Sequence, residues 1–159
     1  MADTRFRHAI EACIRETFLR GEYRQPFEKR QLRLCAGGRF EFDAVSQDGS
    51  VAATISTASA RVRDSRRIAV GSINKIRSDM LFLMLCEART KLVVLTEADM
   101  MDFWTAERGR GRVPRQIDFK LAPLPKTMRT ELDTKKAEAS YEIERRPTKR
   151  LHRSRSARR

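Results

Sequence analysis

The chain has 159 residues and a formal net charge of +13, and 35% of its residues are charged. This balance predicts attraction to polyanions or anionic surfaces and says nothing about fold. Three widely spaced cysteines and two histidines argue against a disulfide framework and the usual structural zinc sites. The most apolar run, Met80 to Cys86, is too short to span a bilayer, and Met1 to Arg15 is too charged for a signal peptide. We therefore expect a cytoplasmic protein without a transmembrane segment.

The first quarter of the chain predicts a helix and then a strand. Phe6, Ile10, Ile14 and Phe18 recur every four residues, which is typical of a helix with one apolar stripe, and Gly21 can end it. A strand follows over 30–35, where leucines alternate with basic residues.

The stretch 39–57 predicts a β-hairpin, because its residues alternate in polarity on both sides of Asp48-Gly49. An Asp-Gly pair favours a two-residue turn, since both positions tolerate positive φ. A turn there sets the register of the two strands. The predicted pairs are Phe42 with Ile55, Ala44 with Ala53, Asp43 with Thr54 and Glu41 with Ser56. Phe42 and Ala44 then share an apolar face, and the two carboxylates lie on the other face.

The second half predicts alternating helices and strands. Basic residues over 58–71 indicate a mobile loop, and Ser72 can cap the helix that follows. Leu92–Leu95 is apolar without alternation, which is typical of a central strand covered on both faces. Thr96 and Asp99 can form a capping box for a helix that ends near Gly109.

The remaining elements are a second basic loop, a strand and a charged helix. They span 108–115, 117–121 and 126–144. We predict one core domain over 1–125, a C-terminal helix over 126–144 and a disordered basic tail over 145–159. The class is α/β (α+β), a single domain with a mixed sheet.

The predicted order of helix, three strands, helix and strand resembles the restriction-endonuclease-like, or PD-(D/E)XK, superfamily, whose core runs αβββαβ. That family places an acid at the end of the second core strand, where this chain has Asp43. Its third strand carries Glu-x-Lys or Asp-x-Lys, where this chain has Thr54-Ile55-Ser56. The active-site motif is therefore degenerate, and a catalytically silent relative is favoured over an active nuclease.

An active nuclease would need a rearranged site. The resemblance implies that Asp43 and Glu41 would hold magnesium with a helical acid, Glu11 or Glu16. Lys75 would then replace the missing lysine of the motif. On the alternative interpretation, the two strand acids are ordinary residues of a solvated sheet face, and no cofactor is required.

The basic segments predict the main function, which is binding to DNA or RNA through phosphate contacts. A third hypothesis is an interaction module whose basic tail binds an acidic protein partner. The tail from 145 to 159 holds eight basic residues and no acidic one. The residues predicted to contact phosphates are Arg61, Arg63, Arg66, Arg67, Arg110, Arg112, Arg115, Arg145, Arg146, Lys149, Arg150, Arg153 and Arg155.

Overall fold

Five strands form one mixed sheet with helices on both faces, as the predicted class requires. The computed structural model describes residues 4–62 and 67–144, with side chains as far as Ala139. The strands are β1 (Phe27–Arg33), β2 (Arg39–Ser46), β3 (Val51–Ser56), β4 (Thr90–Leu95) and β5 (Ile117–Leu121). The helices are α1 (Thr4–Cys13), α2 (Arg20–Tyr23), α3 (Val70–Leu85), α4 (Ala98–Gly109) and α5 (Lys126–Glu144).

The strands are ordered β1-β2-β3-β4-β5 across the sheet. The pairs β1/β2 and β2/β3 are antiparallel, whereas β3/β4 and β4/β5 are parallel. Parallel neighbours need a crossover connection, which α3 and α4 supply. Leu92–Leu95 lies between two strands and is fully buried, so the predicted central strand is confirmed.

Two hydrophobic clusters fill the layers above and below the sheet. The first contains buried residues of α3 and α4, including Ile76, Leu83 and Trp104. The second contains Ile10 from α1 and Leu132 from α5. Since β4 is interior, its side chains alternate between the two clusters, which explains why its sequence is apolar without a polar face.

The first helix departs from the predicted stripe at its centre. Residues Ile14–Leu19 form a π-helical turn between α1 and α2. A π turn advances the buried position by five residues instead of four, so Leu19 is fully buried and Phe18 is only half-buried. The helix passes Gly21, the predicted end, and stops at Arg24, whose φ of 54° is left-handed.

The hairpin is present, and the predicted pair of Ala44 with Ala53 is confirmed. The other predicted pairs are wrong, because the ladder ends at Ala44 and does not join Phe42 to Ile55, Asp43 to Thr54 or Glu41 to Ser56. The residues between its strands are Gln47 to Ser50, a four-residue loop where two residues were expected. The prediction that Phe42 and Ala44 share a face is wrong. The β1–β2 register shifts near Asp43 by one residue, as at a β-bulge, so Phe42 packs toward α3 and Ala44 toward α1.

Three other local predictions were wrong. β1 covers 27–33, where 30–35 was expected. α3 begins at Val70 with Ala69 at its N-cap, so Ser72 is already inside the helix. Glu97 is the N-cap residue of α4, and no side chain caps that end. Asp99 instead accepts backbone hydrogen bonds from the segment after β3, a tertiary contact that a local pattern cannot reveal.

Candidate nucleic-acid interface and carboxylate site

Strands β2 and β3 pair only beside their turn and separate beyond it. The ladder joins Ala44 to Ala53 and Val45 to Ala52. At the next position, Oδ2 of Asp43 accepts a hydrogen bond from the backbone N–H of Ile55 at 2.8 Å. The carbonyl oxygen of Asp43 accepts another from Nη1 of Arg15 at 2.7 Å. Asp43 therefore ties the two strands together at the point where the sheet opens.

Two buried carboxylates lie close enough to Asp43 to be affected by its charge, one from each helix layer. Glu11 of α1 is paired with Arg7 at 3.4 Å, and Asp79 of α3 accepts a hydrogen bond from Lys75 at 2.6 Å. Burial raises the pKa of both carboxyls, and the negative charge of Asp43 raises each further. Arg7 and Lys75 oppose these increases. We call Glu11, Asp43 and Asp79 the carboxylate site.

The carboxylate site contains some of the predicted catalytic residues and omits others. Asp43 and Glu11 belong to it and Lys75 pairs with Asp79, whereas Glu41 is exposed and pairs with Lys29 of β1 at 3.0 Å. Glu16 is exposed on the π turn. Asp79 was not among the residues predicted to be catalytic. It could have been found from its four-residue spacing from Lys75, because residues four apart on a helix can form an ion pair.

The third-strand residues that replace the expected motif are buried. Thr54 and Ser56 face α3, and the hydroxyl of Thr54 has no hydrogen-bond partner among the described residues. Within 4–62 and 67–144, no three His, Cys, Asp or Glu side chains are grouped so that they could hold a metal ion.

A second charged group lies at the C-terminal end of α4. The carboxylate of Glu107 is only 5% exposed, and three arginines surround it. Nη1 of Arg110 lies 2.9 Å from it, Nη1 of Arg112 lies 3.5 Å away, and Nη2 of Arg77 lies 3.7 Å away. The side chains of all three arginines are more than half exposed. We call Arg77, Arg110 and Arg112 the arginine cluster.

The arginine cluster forms a cationic surface at the end of α4. Three guanidinium groups around one carboxylate leave a local charge of two positive units. Arg77 is held further by Oδ1 of Asn74 at 3.2 Å and lies 5.9 Å from the centre of the buried Trp104 ring. Sequence reasoning found Arg110 and Arg112 but missed Glu107 and Arg77. Glu107 could have been found from its three-residue spacing from Arg110, because residues three apart on a helix can form an ion pair.

The predicted mobile basic loop after β3 is partly a two-stranded ribbon. Arg61 and Ile68 form an antiparallel bridge, and the N–H of Val62 donates to the carbonyl of Arg67 at 2.9 Å. Oδ2 of Asp99 accepts from the N–H groups of Ala60 and Arg61 and fixes the base of the ribbon to α4. We call residues 60–62 and 67–69 the ribbon.

The other predicted phosphate-binding residues are only partly covered by the structure. Arg61, Arg67 and Arg115 are exposed. The remainder lie outside the described residues, namely Arg63, Arg66, Arg145, Arg146, Lys149, Arg150, Arg153 and Arg155. The predicted disorder of the tail also falls on residues outside that range.

A crevice of about 500 Å³ opens at the carboxyl ends of β4 and β5. One oxygen of Glu97 in its lining accepts hydrogen bonds from Thr96, Arg129 and Lys136 at 2.7–3.0 Å. Burial opposes ionisation of Glu97, but Lys136 and Arg129 outweigh it and lower the pKa of the carboxyl. The charged groups of the crevice therefore largely neutralise one another.

The chain was also compared with known proteins. No family model matches it, and neither a curated protein nor a solved structure does. Among the described helices, none combines the length and the apolar character needed to cross a bilayer.

Proposed function

We propose that this protein binds DNA or RNA through contacts between its arginines and the phosphate backbone. The observation that carries the proposal is the arginine cluster, in which a buried carboxylate holds three exposed guanidinium groups. Guanidinium groups match phosphate oxygens in geometry and charge. Since Glu107 limits the freedom of the side chains before a ligand arrives, less conformational entropy is lost on binding.

The charge of the rest of the chain supports the same proposal. The tail contributes eight of the +13 net charges, which leaves +5 for residues 1–144. Phosphate binding by scattered cations depends on charge and releases condensed counterions, so it needs no base-specific site. We expect binding with little sequence preference, by a protein located in the cytoplasm.

The order of elements supports a restriction-endonuclease-like scaffold. The chain runs helix, three strands, helix and strand as far as β4, which is the order that the resemblance implies. The carboxylates near the expected catalytic position each have a structural partner already. Asp43 binds a backbone N–H, Asp79 binds Lys75 and Glu11 binds Arg7. This distribution favours the catalytically silent form.

A metal-dependent nuclease is the second candidate. The negative charge of Asp43 raises the pKa of both buried carboxyls, Glu11 and Asp79, so the three acids interact electrostatically. Magnesium usually takes one or two carboxylates and completes its coordination with water and phosphate oxygens. Asp43 and Glu11 would supply these carboxylates, and the ion would act as a Lewis acid toward phosphate. Incubation of DNA and RNA with the protein and Mg²⁺ or Mn²⁺ tests this candidate. Cleavage that disappears in Asp43→Asn would replace the silent assignment.

The binding proposal is tested by the salt dependence of affinity for one duplex. A triple variant, Arg77→Gln with Arg110→Gln and Arg112→Gln, should flatten the log–log slope by about 2–3 units, since each phosphate contact contributes roughly 0.9. The matched control removes three exposed arginines elsewhere, at Arg20, Arg33 and Arg39. It should change the slope less. Equal effects of the two variants would mean that net charge, and not the arginine cluster, determines binding.

A further inference from the structure

The backbone at the end of α4 turns back toward Glu107. The N–H of Arg112 donates to the carbonyl of Glu107 at 3.0 Å, and the N–H of Gly111 donates to the carbonyl of Arg108 at 2.9 Å. These two bonds, with Gly111 at a φ of 72°, are those of a Schellman motif. Because glycine adopts a positive φ at little cost, Gly111 determines how the chain leaves the helix.

This motif places two arginines beside one carboxylate oxygen. Arg110 is the C-cap residue of α4 and Arg112 follows the glycine, and Nη1 of each lies next to Oε1 of Glu107. Arg77 of α3 approaches the other oxygen, Oε2. Because all three contacts end on one carboxylate, the guanidinium groups converge on a point and do not spread along a line.

The exposures of the four side chains show which way the arginine cluster faces. The side chain of Glu107 is 5% exposed, whereas those of the three arginines are 52–66% exposed. The carboxylate therefore lies beneath the guanidinium groups, whose outer edges meet solvent. A guanidinium group carries five N–H donors in a fixed fork, so donors remain for a ligand after the contact with Glu107 is made.

We infer that the arginine cluster binds the phosphate monoester at the end of a nucleic acid strand. This inference rests on the proposed function and names the part of the nucleic acid that the cluster binds most tightly. A phosphate monoester carries about 1.5 to 2 negative charges at pH 7, whereas each phosphodiester within a strand carries one. The monoester therefore matches the two positive units of the cluster with a single phosphorus.

The number of oxygens also favours the end of a strand over its interior. A monoester has three free oxygens that accept hydrogen bonds, and a phosphodiester has two. Hydrogen bonds between guanidinium groups and phosphate oxygens are charge-assisted and strong. Three convergent guanidinium groups can thus each bind an oxygen of one monoester. Along the strand they contact phosphodiesters, as the proposed function requires, but with fewer oxygens and less charge at the point of convergence.

The charge of the chain favours a nucleic acid over a phosphorylated protein as the carrier of the phosphate. The net charge is +13, and the same loop exposes a further arginine, Arg115. A polyanionic strand neutralises the cluster and the other cations together and releases counterions from each contact. A single phosphorylated side chain would neutralise the cluster alone.

The experiment measures the affinity of the full chain for one short duplex whose 5′ ends carry a hydroxyl, a phosphate or a methyl phosphate. The phosphorylated duplex should bind about tenfold more tightly than the hydroxyl duplex, since one charge-assisted hydrogen bond is worth roughly that factor. The methyl phosphate has one charge and two free oxygens, so most of the gain should be lost. A duplex with 3′-phosphates is measured in parallel, and a preference for either phosphorylated end supports the inference.

Two variants assign the preference to the arginine cluster. Arg110→Lys keeps the positive charge but loses the planar fork, so the preference should fall below about threefold. Its affinity for the hydroxyl duplex should change by less than about twofold, because net charge is unchanged. The control is the triple variant Arg20→Gln, Arg33→Gln and Arg39→Gln. It should weaken binding of both duplexes alike and keep the preference.

The possible failures of the inference and of the proposed function differ. If the wild type binds none of the duplexes, both are overturned. If it binds all ends equally, phosphate binding stands and the assignment of a terminal phosphate is overturned. A preference that survives in Arg110→Lys would place the terminal phosphate away from the cluster. Competition by a mononucleotide or a phosphoserine peptide as strong as that of the phosphorylated duplex would overturn the choice of a nucleic acid end.

Discussion

The carboxylate of Asp43 accepts a hydrogen bond from the backbone N–H of Ile55, across the point where β2 and β3 separate. A side chain thus replaces the ladder partner that Ile55 would otherwise find on β2. The bulge near Asp43 makes this possible, since it changes which residues of β2 face each helix layer. An acid in the position expected of a catalytic residue therefore has a structural role as well.

Replacement of Asp43 should reveal this structural role. Asp43→Ala leaves the N–H of Ile55 without its acceptor, and we expect a loss of about 1–3 kcal/mol in the free energy of unfolding. Asp43→Asn keeps a side-chain oxygen that can accept the bond, so its loss should be smaller. Urea denaturation of both variants measures the difference. Wild-type stability of Asp43→Ala would show that the bond contributes nothing.

Phe42 should be among the costliest positions in the sheet. Its side chain is fully buried and makes an edge-to-face contact with Phe40 at 5.0 Å between ring centres. Phe42→Ala should lower the free energy of unfolding by about 3–5 kcal/mol, the usual range for a core phenylalanine. Val62→Ala, at an exposed position, serves as the control and should stay within about 0.5 kcal/mol of wild type. Comparable denaturation midpoints for the two variants would contradict the packing described.

The hairpin loop should lose stability in acid. Hydrogen bonds from the backbone N–H of Ser50 and from the hydroxyls of Ser46 and Ser50 hold the pKa of Asp48 far below its usual value. A lowered pKa in the folded state stabilises the protein above the unfolded pKa, about 3.9, and this contribution disappears as the pH falls through the folded value. Wild type should therefore be more stable than Asp48→Asn at neutral pH, and the difference should shrink below about pH 4. Thermal denaturation of both proteins across pH 2–7 measures this difference in stability. A difference that grew as the pH fell would contradict the prediction.

Removal of residues 145–159 should weaken binding to nucleic acids without regard to sequence. If about half of the eight tail cations contact phosphates, the log–log salt slope should flatten by on the order of 3–4 units. Folding should not change, because the segment has no apolar stripe with which to pack. Asp43→Asn is the comparison variant and should keep nearly the original slope. A truncated protein with an unchanged slope would shift support to an acidic protein partner.

Local patterns were enough to predict the main elements of the sheet. Alternation around Asp48-Gly49 gave the register that joins Ala44 to Ala53, and the unbroken run at Leu92–Leu95 gave the central strand. Both patterns are local, because each lies in the same segment of sequence as the element that it predicts. The bulge near Asp43 could not be predicted in this way, because it depends on how β1 pairs with β2. The carbonyl of Asp43 also accepts a hydrogen bond from Arg15, 28 residues earlier in the chain.

The candidate sites show the same limit. The arginines of the 108–115 loop were found from their density, but Glu107 and Arg77, which organise them, belong to two different helices. Asp99 was assigned to a helix cap on local spacing and in fact binds the ribbon, 38 and 39 residues earlier in the chain. Contacts over such sequence distances depend on the packing of the whole domain.

The π turn at Ile14–Leu19 has a consequence for how the chain tolerates changes in length. It contains one residue more than the α-helix that would join the same points. Deletion of the exposed Glu16 would move the leucine now at position 19 to four residues after Ile14, where a regular α-helix presents its buried face. This helix is therefore a place where the protein can lose a residue by deletion and keep its hydrophobic contacts with the sheet.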